Sequence, residues 1–310
     1  MILQWLICAA IAANFVPAAD ALVMTLDGRV VAEANRSEYA FPSPGTPAVH
    51  DGKAEALADR MDKAAFQPPQ NAYLDVRGAV VPEARGYKLD RKKFMERFYG
   101  YVIEGEPAAM ELPRRVVYPR VDSELLISIK EKMIGRYTTY YNPNNKNRSH
   151  NISLASEAIN NRYVFPGETF SFNETVGERT SQRGYQRAKV IVRGEVSEGI
   201  GGGICQISST LFNAADRAGM EIVQRYTHSR HVPYVPPGRD ATVSWYGPDF
   251  VFKNPYDRPI LIRSFAHHGT ATILIYSAEE IDFKPREVPS ASKKLPEEVS
   301  ADRNVNRNAP

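Results

Sequence analysis

Cysteine usage limits this chain more than any other feature. Cys8 sits in an apolar leader, and Cys205 is the only thiol beyond it. Once the leader is removed, no internal disulfide can form, so the fold has to rest on hydrophobic cores. A length of 310 residues is enough for two such cores. A composition of 43% hydrophobic and 24% charged residues is that of a globular protein. The formal net charge of +3 provides no clustered basic surface, so nucleic acid is not the expected partner. Mild basicity suits an anionic wall or membrane surface.

The leader "MILQWLICAAIAANFVPAADA" (1–21) carries no charged side chain before Asp20 and ends in the small-x-small step Ala19-Asp20-Ala21. It reads as a secretory signal peptide. Because Lys and Arg are missing from its start, an uncleaved membrane anchor is the alternative. Either way the expected location is secreted or cell-envelope. A single thiol in an export compartment points to intermolecular pairing or to a reactive group. One cysteine with scattered histidines gives no paired metal-ligand spacing, so no metal is expected.

The pattern along the chain predicts an α+β protein. A small α+β module spans 22–120, a strand-rich domain with a cysteine-bearing helix spans 121–280, and a disordered tail spans 281–310. In the module, "LVMTLDGRVVAEA" alternates around an Asp-Gly turn, as a hairpin does. Helices are expected in "KAEALADRMDKAAF" and in "LDRKKFMERFYGYV", the latter capped by Asp90. "AYLDVRGAVV" and "AMELPRRVVY" read as strands, and "VDSELLISIKEKMIG" as a helix stopping at Gly135. "ISLASEAINNRY" follows as a helix, with strands in "QRAKVIVRGE", "EIVQRY", "ATVSWY", "PILIRSF" and "TATILIYS". The Pro-, Ser- and charge-rich end reads as disordered.

Cys205 follows Gly201, Gly202 and Gly203 and opens a helix running to Arg217, closed by Gly219. On a helical wheel Ile207, Leu211, Ala214 and Ala215 form the buried stripe, while Cys205 lies opposite with Ser209, Phe212 and Asp216. A thiol in the first turn, off the stripe, meets unpaired N–H groups and the positive end of the helix dipole. Both favour the thiolate. Glycines there admit a substrate backbone to the sulfur, and helix-start amides can hold an oxyanion. Each feature alone is ordinary, since free cysteines are commonly buried hydrophobes and glycine runs are commonly tight turns. Together they make Cys205 a candidate nucleophile.

A thiolate nucleophile needs a base. His50 and His150 lie in loop-like stretches outside the strand-rich part, and His267 and His268 flank a turn. His228 and His231 come soon after the cysteine helix, beyond a return strand, and His228 is the first choice. Asp240 is the first choice to orient the imidazole, with Asp249 second.

Several pieces, in order, resemble the VanW domain over about Ile134 to Ser264: "PGETFSFN", "VGERT", "GGGICQISSTLFNAA", the His228-Ser229 step, "YVPPGRDATV" and "DFVFKNP". "AYLDVRGAVVPEARGYKLDRKKF" is similar to a peptidoglycan-binding module found before such domains. The resemblance implies a bacterial envelope protein acting on peptidoglycan stem peptides. It also implies, for some members, an L,D-transpeptidase with the family cysteine as nucleophile. Carried over by position, Cys205 is the nucleophile and His228 the base, with Gly202, Gly203 and Gln206 beside the thiol. By residue type, Arg183, Tyr185 and Arg239 are candidates for holding stem carboxylates. Such acyl transfer requires no metal or organic cofactor. The alternatives are a cysteine peptidase, in which water resolves the thioester, and a non-catalytic wall-binding protein in which Cys205 is a packing residue.

Overall fold

The computed structural model describes residues 21–41, 48–105, 108–192 and 195–294. The leader read as a signal or anchor falls almost wholly on 1–20, outside the described residues. The chain divides into two compact units, 1–72 with 82–122, and 73–81 with 123–310. The architecture is mixed α+β, with several separate small sheets.

In the first unit Ala21–Leu26 pairs antiparallel with Arg29–Asn35 across the Asp27-Gly28 turn, and parallel with Ala108–Glu111. Helices Asp51–Ala65 and Arg91–Glu104 supply the rest of its core, in which Met24, Leu57, Phe94 and Phe98 are fully buried. Asp90 caps the second helix by accepting the Lys93 N–H at 3.3 Å. "AMELPRRVVY" is not one strand but two, Ala108–Glu111 and Arg114–Val117. Pro113, which has no N–H to give a ladder, lies between them.

The second unit is built on a four-stranded antiparallel sheet. Its elements are β1 (Lys132–Tyr140), α1 (Lys146–Ile159), β2 (Arg162–Val164), β3 (Thr169–Ser171), α2 (Phe172–Val176), β4 (Arg187–Val192), β5 (Glu195–Ile200), α3 (Ile204–Arg217), β6 (Glu221–Gln224), β7 (Val251–Lys253), β8 (Ile260–His267) and β9 (Thr270–Ser277). The main sheet runs β1-β9-β8-β2, a smaller one runs β3-β7-β6, and β4 pairs with β5. Burial alternates along β9, with Ala271, Ile273 and Ile275 inward, as a strand with one covered face requires. Helices α1 and α3 cover that face.

Two corrections concern the ends of this unit. The helix read to Gly135 is shorter, Ser123–Ile129, and Lys132 already begins β1. The β-branched and aromatic residues of "RYTTYY" favour pleated pairing with β9 over helix. The described part of the expected disordered tail, 281–294, is packed instead. Val288 is buried, Arg286 Nη1 lies 2.9 Å from Asp216 Oδ1, and the Tyr137 hydroxyl donates to the Pro289 carbonyl at 2.8 Å. Residues 295–310 lie outside the described residues. The segment 73–81, inside the expected N-terminal module, forms a short hairpin that belongs to the second unit. Arg263 of β8 donates to the Asp75 carbonyl at 2.9 Å.

Candidate active site

Three glycines carry the chain from β5 into α3, and packing requires them. Gly203 is the N-cap with φ +107°, a conformation that side-chain-bearing residues rarely adopt. Gly202 is buried, and a Cβ added to it would lie 2.5 Å from the Lys189 carbonyl oxygen. At Gly203 a Cβ would meet Arg148 Cγ at 2.8 Å. The space where a side chain would stand at both glycines is therefore filled by protein. Asn151, fully buried on α1, fixes the turn by donating from Nδ2 to the Gly202 carbonyl at 3.0 Å and to the Gln186 carbonyl at 2.9 Å.

This turn leaves Cys205 in the first turn of α3, half-buried. Ile204 N–H donates to the Gly201 carbonyl at 3.3 Å and Gln206 N–H to the Gly203 carbonyl at 3.0 Å. The N–H of Cys205 between them has no acceptor among the described residues. It is the kind of orphan donor that the start of a helix offers to an anion.

The face of α3 opposite the aliphatic stripe, where the wheel puts Ser209 and Phe212, is buried too. Its polar side chains hold the segment that returns from β6. Ser209 Oγ accepts the Ala241 N–H at 2.8 Å, and Ser208 Oγ donates to the Ala241 carbonyl. Asn213 Nδ2 donates to the Arg239 carbonyl at 2.8 Å. A helix buried on two faces uses hydroxyls and amides on the second face because each pairs with backbone there. The same contacts deny "ATVSWY" a ladder, and these residues form a loop, not the expected strand.

That loop brings His228, Asp240 and Cys205 together. His228 Nδ1 lies 2.6 Å from Asp240 Oδ2, and both side chains are almost fully buried. With Nδ1 engaged, the other ring nitrogen is the one left to serve the sulfur, whose proton affinity responds to the nearby imidazole. Cys205 Sγ also lies 3.5 Å from the Val243 carbonyl oxygen and 3.8 Å from Thr242 Oγ1. Burial pushes the thiol up, but His228, Val243 and Thr242 together outweigh burial and hold Cys205 below the ordinary thiol range. Burial likewise opposes the imidazolium, yet Asp240 and Cys205 raise His228 to about 9. Asp240 is lowered despite burial, because His228 bonds it through both ring and backbone. The arrangement favours a thiolate–imidazolium pair oriented by a carboxylate.

The other residues singled out in the sequence sit elsewhere. Gln206 is fully buried and points away from the thiol's partners. Its Nε2 donates to Thr139 Oγ1 and the Tyr140 carbonyl, both at 3.0 Å, and its Oε1 accepts from Arg148 Nη2 at 2.7 Å. Arg239 is taken up by Asp216 at 2.7 Å and Asn213 at 2.8 Å, and lies over the Phe212 ring. Tyr185 is a buried core side chain. Arg183 is exposed and donates to the Glu178 carbonyl at 2.9 Å. His231 is exposed in the loop, and Asp249 is occupied by Ser171 at 2.6 Å and the Asn173 N–H at 2.9 Å. Asn151, Thr242, Val243 and Arg179 went unrecognised; Thr242 and Val243 lie in "GRDATV" and Arg179 in "VGERT". No group of three or more His, Cys, Asp or Glu among the described residues is placed to hold a metal ion.

Comparison with known proteins agrees with the course of the chain. A family model described as "VanW like protein" matches residues 147–276, which include Cys205, His228 and Asp240. An uncharacterized protein of Bacillus subtilis, YoaR, is 52% identical over 283 residues, 91% of this chain and 93% of the relative. The vancomycin B-type resistance protein VanW of Enterococcus faecalis is 32% identical over 83 residues, 27% of this chain and 30% of the relative. No solved structure matches. With the family model over the cysteine-bearing region and 52% identity to a relative across 91% of the chain, this chain belongs to the VanW-like protein family.

Proposed function

We propose that this protein is an extracytoplasmic cysteine acyl-transferase acting on peptidoglycan stem peptides, an L,D-transpeptidase in its reaction. The observation that carries the reading is the Asp240–His228 pair, closed at 2.6 Å, on the loop whose Thr242 and Val243 touch the Cys205 sulfur. Similarity to a relative named for vancomycin resistance supports a cell-wall-related role. The apolar leader with its small-x-small end supports export.

In this reading the Cys205 thiolate attacks the carbonyl carbon of the third residue of a tetrapeptide stem. The carbonyl oxygen becomes an oxyanion facing the free Cys205 N–H. The imidazolium of His228 gives its proton to the departing nitrogen as the C–N bond breaks, releasing D-alanine and leaving a thioester. Neutral His228 then takes a proton from the incoming side-chain amine of a second stem. The new amide forms, the C–S bond breaks and the thiolate returns.

Incubation of the purified chain with tetrapeptide muropeptides tests this by intact mass and product analysis. The expected result is a thioester on Cys205, absent in Cys205→Ser, and cross-linked dimers as product. A thioester that yields only tripeptide makes the protein a peptidase. No adduct, together with a thiol inert to iodoacetamide, leaves a wall-binding module and overturns the reading.

A further inference from the structure

Beside the orphan Cys205 N–H, Arg179 also has unspent bonding capacity among the described residues. It lies between the two segments that flank the sulfur. Its stem rests on the glycine turn, since a Cβ added to Gly201 would meet Arg179 Cβ at 3.0 Å and Cγ at 3.2 Å. Its Nη1 donates to Asn173 Oδ1 at 2.9 Å and to the Gly177 carbonyl at 3.2 Å. Asn173 is locked in that orientation because its Nδ2 donates to the Ser244 carbonyl at 2.9 Å and to the Pro248 carbonyl at 3.1 Å. Ser244 directly follows Val243, whose carbonyl touches Sγ.

These contacts use one end of the guanidinium. Nε and Nη2, which share its other edge, have no acceptor among the described residues, and no carboxylate there lies within ion-pair distance of Arg179. That edge is the one a carboxylate takes with two parallel hydrogen bonds. Burial pulls the guanidinium below its ordinary value, and Cys205 is foremost among the charges that counteract this. Yet no described hydrogen bond joins Arg179 to the sulfur. By contrast, the carboxylate of Asp216 already occupies Arg239.

We propose that Arg179 is the carboxylate receptor of this site, gripping the terminal carboxylate of the residue that leaves, so that the acyl donor is a peptide cleaved one residue from its free C-terminus. This rests on the acyl-transfer reading above, and names the residue that recognises the leaving D-alanine.

The test uses the full chain and two probes, a D-alanine-terminated tetrapeptide stem and its C-terminal amide. Two quantities are read: the rate of acyl adduct formation on Cys205, and protection of Cys205 from iodoacetamide by each peptide. Wild type is expected to prefer the free acid by about 10- to 100-fold, the range of a charge-assisted pair. Arg179→Ala is expected to abolish the preference, and Arg179→Lys to keep part of it, since a lysine supplies the charge without the two-pronged edge. Arg179→Lys also carries the test if the alanine variant melts at room temperature. Equal handling of acid and amide by wild type, or a preference surviving in Arg179→Ala, overturns the proposal. Selective protection by the free acid without any adduct keeps the receptor and removes acyl transfer. Adducts formed equally from both peptides do the reverse, and neither protection nor adduct overturns both.

Discussion

His228 Nδ1 and the backbone N–H of His228 both lie 2.6 Å from a single oxygen, Oδ2 of Asp240. One carboxylate oxygen thus fixes both the ring and the backbone of the histidine, and its charge supports the imidazolium. Asp240→Asn keeps the shape and removes the charge. The variant is expected to fold, with acyl-transfer turnover lower by about 100- to 10,000-fold, the usual contribution of a positioned acid–base pair. Turnover kinetics alongside a thermal melt check this.

The raised His228 value sets an upper pH limit. In the proposed acylation the imidazolium protonates the leaving nitrogen, and it is lost as pH rises through about 9. Acylation is therefore expected to follow a bell, with its lower limb set by thiolate protonation and its upper limb near 9. The same shift is a stability statement: a group raised above its unfolded value stabilises the fold below 6.5, and that contribution disappears as pH climbs through about 9. Rate and melting profiles across that range read both effects.

Gly202→Ala pushes a methyl against the Lys189 carbonyl oxygen, 2.5 Å away, where backbone has to move. The expected cost is about 1–3 kcal/mol, as for other overpacking changes. A lowered melting temperature is the readout.

Gln206 is predicted to matter for stability and not for chemistry. Gln206→Ala strips partners from Thr139, the Tyr140 carbonyl and Arg148, at a cost of about 1–3 kcal/mol for groups left buried and unpaired. The folded fraction should keep its thiol reactivity towards iodoacetamide.

Asp216 ties α3 to both Arg239 and Arg286. Burial pushes its carboxyl up, but the two arginines bring it below the usual 3.8. A depressed carboxyl gives stability above its unfolded value that is lost as pH falls through the folded one. Wild type should lose melting temperature below about pH 4 more steeply than Asp216→Asn does.

Much of this was legible from the residues. The helix behind Cys205, the hairpin at Asp27-Gly28 and the helix capped by Asp90 follow from local chemistry. What misled was tertiary. The wheel placed Ser209 off the buried stripe, and periodicity cannot show that a loop such as 239–243 will cover that polar face and bond to it. The glycines look like a path to the sulfur until β4 is seen against Gly202. The tail from 281 is polar in composition, yet Arg286 and Val288 each find a partner on the domain. Arg179 gave no signal of its own, since its place beside the cysteine depends on how Asn173 is held.

The central claim is that His228 keeps the Cys205 sulfur deprotonated, and the pH dependence of its carbamidomethylation tests that most directly. The rate in wild type should rise with a midpoint below the ordinary thiol value of 9, and in His228→Ala the midpoint should move to 9 or above. Superimposable profiles for the two proteins would contradict the account.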